Sequence, residues 1–529
     1  MLHANLIPPS LVDIKGAGLS HREALLTICD EAHLWRSPSG EAYASTPVDD
    51  HVEQHAIASR GFRYWLLHRL VTKFSQNGRP ASVNENTFRD VRSVLEAKAM
   101  IGAPTFSTPI RVTEFAAGIY IDLGRKDWSC VQITKDGSFI IPRAPVPILR
   151  SKRTGPFELP SQNGNFSPLR QLLGHFDEDT FILLVSWCLG ALLPKGPYPL
   201  LVLGGEQGAG KSTLARLAQQ LVDPVNGDLL QPPRDDRDLI AAAKMSHVLS
   251  FDNLSLVRAE LADSFCRLAT GAEIGGRALY TDSDMASFSA CRPIIINGIP
   301  DLAGRGDVAD RSIILRLSAL KTRVTERDWR EAVTKILPST FAALLNALSE
   351  GLKNVEKTAT PNVRMADFAR FVVAAEQALP WSPGAFMEAY KRSRLDATVA
   401  LADGDSVVGA VLDFMANKDF AWSGSTSELY KILTRSVSIG SMKAQDWPGN
   451  ARWFGDRLRR ASPVLRAHGI DRYEWREGAG RMVTLRKIES LGTSTSFAAS
   501  DPTALDRGSD ANVASAPLSL RLSELDRRF

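Results

Sequence analysis

The stretch Pro197-Tyr-Pro-Leu-Leu-Val-Leu-Gly-Gly-Glu-Gln-Gly-Ala-Gly-Lys-Ser-Thr-Leu-Ala215 carries the pattern G-x-x-x-x-G-K-S at Gly205, Gly210, Lys211 and Ser212. Its flanks make the pattern specific. Residues 200–203 are a short apolar run suited to a buried parallel strand. Residues 213–221 then space Leu214, Leu217, Ala218 and Leu221 along one face of a helix. Strand, glycine loop and helix are the order of a phosphate-binding P-loop. Glycine allows turns tight enough for successive N–H groups to face phosphate oxygens, and the helix N-terminus adds partial positive charge. The expected nucleotide-binding residues are Gly205, Glu206, Gln207, Gly208, Ala209, Gly210, Lys211, Ser212 and Thr213. Lys211 is expected between the β- and γ-phosphates and the Ser212 hydroxyl on a magnesium ion, so ATP and Mg²⁺ are the expected bound species.

Working outward, Val248-Leu249-Ser250-Phe251-Asp252-Asn253 is an apolar strand ending in an acid about 40 residues past Lys211. A buried strand of this kind aims one carboxylate, Asp252, at the metal beside Ser212. Further on, Arg292-Pro293-Ile294-Ile295-Ile296-Asn297-Gly298 is a second apolar strand, ending in an amide. Asn297 there can touch a γ-phosphate or orient water, or simply begin an Asn-Gly turn. Arg311 precedes a third strand, over residues 312–317. It is a candidate trans-acting finger, with Arg305 as a second candidate and pairing of Arg311 with Asp310 or Asp307 as the alternative.

In their order and spacing these residues resemble the ATPase core of superfamily 3 helicases and the related phage and plasmid replication ATPases of the AAA+ class. The matches are Walker A at 205–212, Walker B at Phe251-Asp252-Asn253, the sensor at Ile296-Asn297 and the arginine finger at Arg311. The resemblance covers roughly residues 170–345. It implies a ring, a homo-hexamer, with ATP at subunit interfaces and a DNA strand in the central pore. Two departures stand out. Many relatives carry a second acid beside the Walker B aspartate, where this chain has Asn253, which leaves the general base open between Glu206 and Glu260. The expected pore hairpin has Arg277, Tyr280 and Phe288 flanking an acidic Asp282-Ser283-Asp284. Arg277 is the candidate DNA contact there, with a salt bridge to those acids as the alternative.

Bulk properties bound the remainder. A chain of 529 residues exceeds one hydrophobic core, and 44% hydrophobic with 23% charged residues is globular composition. Five scattered cysteines without a C-x-x-C argue against a zinc knuckle or a disulfide framework and fit a reducing cytoplasm. No uncharged apolar run reaches about 18 residues, so no membrane span is expected. The predicted fold is a P-loop α/β AAA+ core, a parallel sheet with flanking helices, between an N-terminal α+β domain and a C-terminal winged helix.

The predicted regions are an α+β domain over residues 1–165, the ATPase core over 166–350, a helical lid or connector over 351–399, the winged helix over 400–488 and a disordered tail over 489–529. In the first, helices are predicted at 21–32, 62–74 and 84–100, a hairpin at 34–48 and strands at 110–115, 119–123, 130–133 and 139–141. Residues 142–168 are rich in Pro, Gly, Ser and Asn and read as a linker, with Arg150, Lys152 and Arg153 as a solvated or DNA-contacting cluster. Asp238 is predicted to cap a helix at 239–244, and Pro338 to break a helical pair at 328–352.

The C-terminal unit reads as three helices and a β-hairpin, a winged helix-turn-helix pattern like that of phage and plasmid helicase-primases. From Lys443 to Lys487 it carries eleven basic and five acidic residues, a net charge of +6 against +4 for the whole chain. Lys443, Arg452, Arg459, Arg460 and Arg481 are the candidate DNA contacts. Together these readings lead to an ATP-dependent DNA helicase or translocase of the phage or plasmid replication type. Its expected partners are single-stranded or forked DNA and a primase or polymerase, with no membrane and a cytoplasmic location. The alternative is a non-motor ATP switch controlling DNA binding or assembly, such as a defence or transposition regulator.

Overall fold

The computed structural model describes residues 11–488, apart from 77–78, 255–257, 278–284, 289, 299–305, 321–323, 417, 419–420, 437–446 and 478–479. The tail predicted at 489–529, Arg305, Tyr280, the Asp282-Ser283-Asp284 run and Lys443 lie outside the described residues.

The protein is a mixed α/β chain centred on a four-stranded sheet. Its strands run in the order Leu249–Leu254, Ile294–Gly298, Leu200–Gly205 and Ser312–Leu317, and all are parallel. The side-chain period of two divides each strand between two faces. Leu201, Leu203, Ile295, Ile313 and Leu315 face the helices Glu178–Ala191, Lys211–Val222 and Glu326–Asn354. Leu200, Val202, Leu249, Phe251, Ile294 and Ile296 face the helices Asp236–Ala243 and Ala259–Thr270. Because both faces are covered, the strands read as continuous apolar runs.

At the N-terminal end, the helices His21–Cys29, Arg60–Lys73 and Glu85–Gly102 share a core with a three-stranded antiparallel sheet, His33–Arg36, Ala42–Val48 and His51–Ala56. The predicted hairpin is thus the first two strands of a larger sheet. A four-stranded antiparallel meander follows at Val112–Phe115, Gly118–Asp122, Cys130–Thr134 and Gly137–Ile141. Its Ile119, Ile121, Val131 and Ile133 belong to the same buried cluster as Leu201 and Leu203. The meander therefore shares a core with the central sheet, across the boundary drawn at residue 165.

Residues 142–166 are a packed strap rather than a linker. Phe157 stacks on Phe341 at 4.3 Å, and Phe157 and Phe166 are both buried. The strap's Ser161 and Asn165 N–H groups donate to the carbonyls of Pro338 and Ser339. Arg150 donates to the buried Asp122 at 2.8 Å and lies 3.8 Å over Trp128, so it belongs to the interior. Of the expected solvated cluster, Lys152 is exposed, whereas Arg150 is drawn to an acid 28 residues away in sequence.

Two further expectations change. The helix Glu326–Asn354 is continuous, with Pro338 inside it. The cap of Asp236–Ala243 is Asp235, whose carboxylate accepts from the Arg237 and Asp238 N–H groups. Asp238 accepts from Arg234 N–H instead. Residues 326–357 are long and apolar enough to cross a membrane by length and composition, yet most of their most apolar 18-residue window is buried in the core.

At the C-terminal end, the helices Ser406–Ala416, Thr426–Ser436, Ala451–Arg460 and Ser462–Ala467 surround Val411, Met415, Leu429, Leu433, Phe454 and Leu458. A three-stranded sheet closes the unit in the order Ala421–Ser425, Gly480–Lys487, Ile470–Glu477. The strand Ala421–Ser425 and one of the four helices go beyond the three helices and hairpin expected from sequence.

Candidate functional site

The C-terminal ends of three parallel strands meet at the start of the helix Lys211–Val222. The glycine loop is shaped by close approach and by left-handed backbone. Gly205 has φ 138°, and a Cβ there would lie 2.2 Å from the Leu317 carbonyl oxygen. Gly208 at φ 84° and Gly210 at φ 79° occupy the left-handed region that glycine enters at no steric cost. Lys211 Nζ curls back over the loop and donates to the carbonyls of Gly205 at 2.9 Å and Glu206 at 2.8 Å. Glu206, Gln207 and Gly208 are exposed, Ala209 is buried, and Thr213 is half-buried on the first turn of the helix.

Ser212, Asp252 and Asn297, which are far apart in sequence, form one hydrogen-bonded chain. The Ser212 hydroxyl donates to Asp252 Oδ1 at 2.8 Å. Asn297 Nδ2 donates to the Ser212 hydroxyl at 3.3 Å, and Asn297 Oδ1 accepts from the Asn253 N–H at 2.7 Å. Asn297 is buried, so its carboxamide is held by these contacts. The strand Leu249–Leu254 carries a β-bulge at this point. Phe251 pairs with Ile296 and Leu254 with Gly298, so Asp252 and Asn253 together oppose Asn297. Asn253 takes φ 56°, a conformation that asparagine tolerates far better than a glutamate would. This gives the Asn253 departure a backbone reason that sequence spacing does not contain. Among the described residues, Glu206 and Glu260 make no hydrogen bond to Ser212, Asp252 or Asn297; both are exposed.

Arg311 is not brought to this site. It precedes Ser312, which pairs with Leu200 at the opposite end of the sheet, and its carbonyl accepts from the Leu200 N–H. The length of the strand, roughly 17 Å at about 3.3 Å per residue, separates it from the glycine loop of its own chain. Asp310, one of its two expected partners, pairs with Arg394 at 2.5 Å.

The site also contains Arg216, one helical turn beyond Ser212, which sequence reading passed over. Its guanidinium holds Asp228 at 2.8 and 3.0 Å, and with the Leu229 N–H it draws the Asp228 carboxyl down to about 2. The i, i+4 spacing from Ser212 was the available signal.

Behind the site lies a buried ion pair. Arg111 Nε donates to Asp223 Oδ1 at 2.7 Å, and the other Asp223 oxygen accepts from the His247 and Val248 N–H groups. Arg111 also donates to the carbonyls of Asp122, Gly155 and Pro224. One side chain from the meander thus grips the strap, the end of the Lys211–Val222 helix and the entry to the Asp252 strand.

The predicted DNA contacts fall in several places. Arg277 ends the strand Ile274–Arg277, paired with Met285–Phe288. Arg452 and Arg460 are exposed on the helix Ala451–Arg460. Arg459 and Arg481 are exposed too, but both approach Glu474. Exposed aromatics accompany them: Trp453 is 66% exposed, Tyr473 51% and Trp475 41%.

A four-stranded parallel sheet with flanking helices, carrying a glycine loop, serine, aspartate and asparagine at its strand ends, defines the class. Residues 169–398 match the family model of the actinomycete integrative conjugative element replication protein, and residues 407–500 match the model of the AICE RepA C-terminal domain. Both describe one replication-protein family, so the chain is similar to a replication protein over both stretches. Among solved structures, the apo C-terminal region of NrS-1 is 10% identical, with a TM-score of 0.37, over 88% of this chain and 98% of that one. JCV helicase is 15% identical, with a TM-score of 0.18, over 43% of this chain and 70% of that one. No curated protein matches the chain.

Proposed function

We propose that the protein is an ATP-driven DNA motor of the replication type, acting as a homo-hexameric ring with ATP hydrolysed where two subunits meet. The observation that carries this reading is the Asp252–Ser212–Asn297 chain at the mouth of the glycine loop. A hydroxyl and a carboxylate 2.8 Å apart are hard oxygen donors of the kind magnesium takes, so Ser212 and Asp252 fit as the residues that would hold Mg²⁺. Bound there, the ion would neutralise charge on the β- and γ-phosphate oxygens. Lys211 exchanges its two loop carbonyls for phosphate oxygens, and the loop N–H groups bind the rest. Asn297 orients groups at the γ-phosphate while the Asn253 N–H fixes its amide. Arg311, distant from its own loop, serves the neighbour's nucleotide in this reading. The C-terminal unit is read as a winged helix that seats the motor on single-stranded or forked DNA, with a primase or polymerase as a further partner.

The test is DNA-stimulated phosphate release together with strand separation on a forked duplex. Lys211→Ala abolishes both, a loss of at least about a hundredfold on the scale of a removed charge-stabilising donor. Unwinding by the Lys211→Ala protein sinks the motor reading. Asn253 in place of a second acid favours one other reading, a non-motor ATP switch. That protein would bind DNA with a nonhydrolysable ATP analogue and separate no strands.

A further inference from the structure

The groove between the helix Ala451–Arg460, the start of the helix Thr426–Ser436 and the C-terminal sheet has a volume of about 470 Å³. Three guanidinium groups from three elements converge in it on one carboxylate. Arg472 Nη1 donates to Glu474 Oε2 at 3.0 Å. Arg459 reaches both Glu474 oxygens, at 3.4 and 3.3 Å. Arg481 Nε stands 4.0 Å from Oε1. Arg452 lines the same groove, and Asp456, paired with Arg459 at 3.3 Å, is the other acid.

Two features distinguish this cluster from an ordinary surface salt bridge. The first is charge: four arginines face two carboxylates, so the groove stays positive with Glu474 in place. The second is size. Charge-assisted bonds to a carboxylate settle near 2.7–2.9 Å, whereas these lie at 3.0 to 4.0 Å. The carboxylate is too small to satisfy all three guanidiniums at once. A tetrahedral phosphate, with more oxygens and a larger radius, would reach them together. The strand supplies a means of exchange. Ile470–Glu477 is an edge strand, Glu474 on it stands opposite Val483, and its side chain is 26% exposed, which leaves it a path toward solvent.

We propose that this groove is a seat for a phosphate of the DNA backbone, with Glu474 as the resident anion that a DNA phosphate displaces. The proposal rests on the DNA-binding reading above and adds to it the residue that opposes binding. Glu474 then sets a threshold: DNA engages only where enough other phosphate contacts are made to expel it. The arginines in turn hold the Glu474 carboxyl below the usual carboxylate range, Arg459 first and Arg472 next. Glu474 is therefore a standing negative charge at neutral pH.

The experiment uses the full chain, a labelled forked duplex and fluorescence anisotropy across a salt series. Glu474→Gln binds about fivefold tighter, because the phosphate no longer has to break an attraction between opposite charges about 4 Å apart in water. Its plot of log affinity against log salt keeps the wild-type slope, because the same phosphates are held in both complexes, whereas loss of the seat would lower it by about 0.9. Arg459→Gln binds more weakly, and adding it to Glu474→Gln abolishes the gain. Unchanged or weaker binding by a Glu474→Gln protein that unfolds at the wild-type temperature overturns the proposal. If that variant does not fold, Arg481→Gln, which keeps Arg472 on Glu474, must lower both affinity and slope, and unchanged binding overturns the proposal equally. A wild type that binds no DNA while Glu474→Gln is stabilised by inorganic phosphate removes the DNA reading and leaves an anion seat alone.

Discussion

At Asn253 a single dihedral angle organises the strand ends that meet the glycine loop. Its left-handed backbone makes the bulge, turns its N–H toward Asn297 and leaves the Asn297 amide aimed at Ser212. His247, four residues before Phe251, makes a different kind of contribution. It is buried, with Nε2 2.7 Å from the Ala191 carbonyl. Burial pushes its imidazole down to about 4 from 6.5, against the pull of Asp223. Its charged neighbours are Asp223, Arg292 and Arg111. Below pH 6.5 the unfolded chain takes up a proton that the native protein refuses until about pH 4. The stability from this group is therefore complete above about 6.5 and falls as pH drops toward about 4, by roughly 3 kcal/mol in all. Thermal unfolding at stepped pH checks this. His247→Gln, which keeps a donor for Ala191, loses that part of the pH dependence.

At the scale of an element, the glycine loop separates two adjacent glycines. Gly205 cannot accept a Cβ, because Leu317 O would be 2.2 Å away and φ is 138°. Gly204 sits in ordinary strand conformation, with its closest neighbour, Leu315 O, 4.0 Å away. Gly205→Ala is expected to cost at least about 2 kcal/mol, and Gly204→Ala less than about 0.5 kcal/mol. Denaturant midpoints at unchanged m report the difference. Equal effects of the two substitutions would contradict the close approach of the loop to the Ser312–Leu317 strand.

At the scale of the molecule, Arg111 joins regions that the sequence presents as separate. Its guanidinium is fully buried against Asp223, and it bonds the meander and the strap as well. Removing one partner of a buried pair leaves the other charge uncompensated, at a cost of about 3–5 kcal/mol. Arg111→Met should show that loss in chemical unfolding. The Arg111→Met, Asp223→Asn double variant should lose less than the two singles together. Full additivity would mean that the Arg111–Asp223 pair itself contributes no coupling between the two regions.

The local readings were legible because their physics is local. The G-x-x-x-x-G-K-S loop needs only glycine freedom and a following helix, and the strand around Leu200 needs only an apolar run. Where a local rule competed with distant contacts, it failed. Pro338 stays in a helix supported by the strap, the Pro- and Gly-rich residues 142–166 anchor Ile148, Phe157 and Phe166 in the core, and Arg150 finds Asp122. The types and order of the residues on each strand were therefore determined by sequence alone. Only the tertiary structure decided that Ser212, Asp252 and Asn297 form one chain of hydrogen bonds, that Arg311 stands at the far end of the sheet, and that Glu474 sits among arginines. Such pairings depend on strand order, a bulge and the alternation of an edge strand, which bring together side chains that no periodicity along the chain relates.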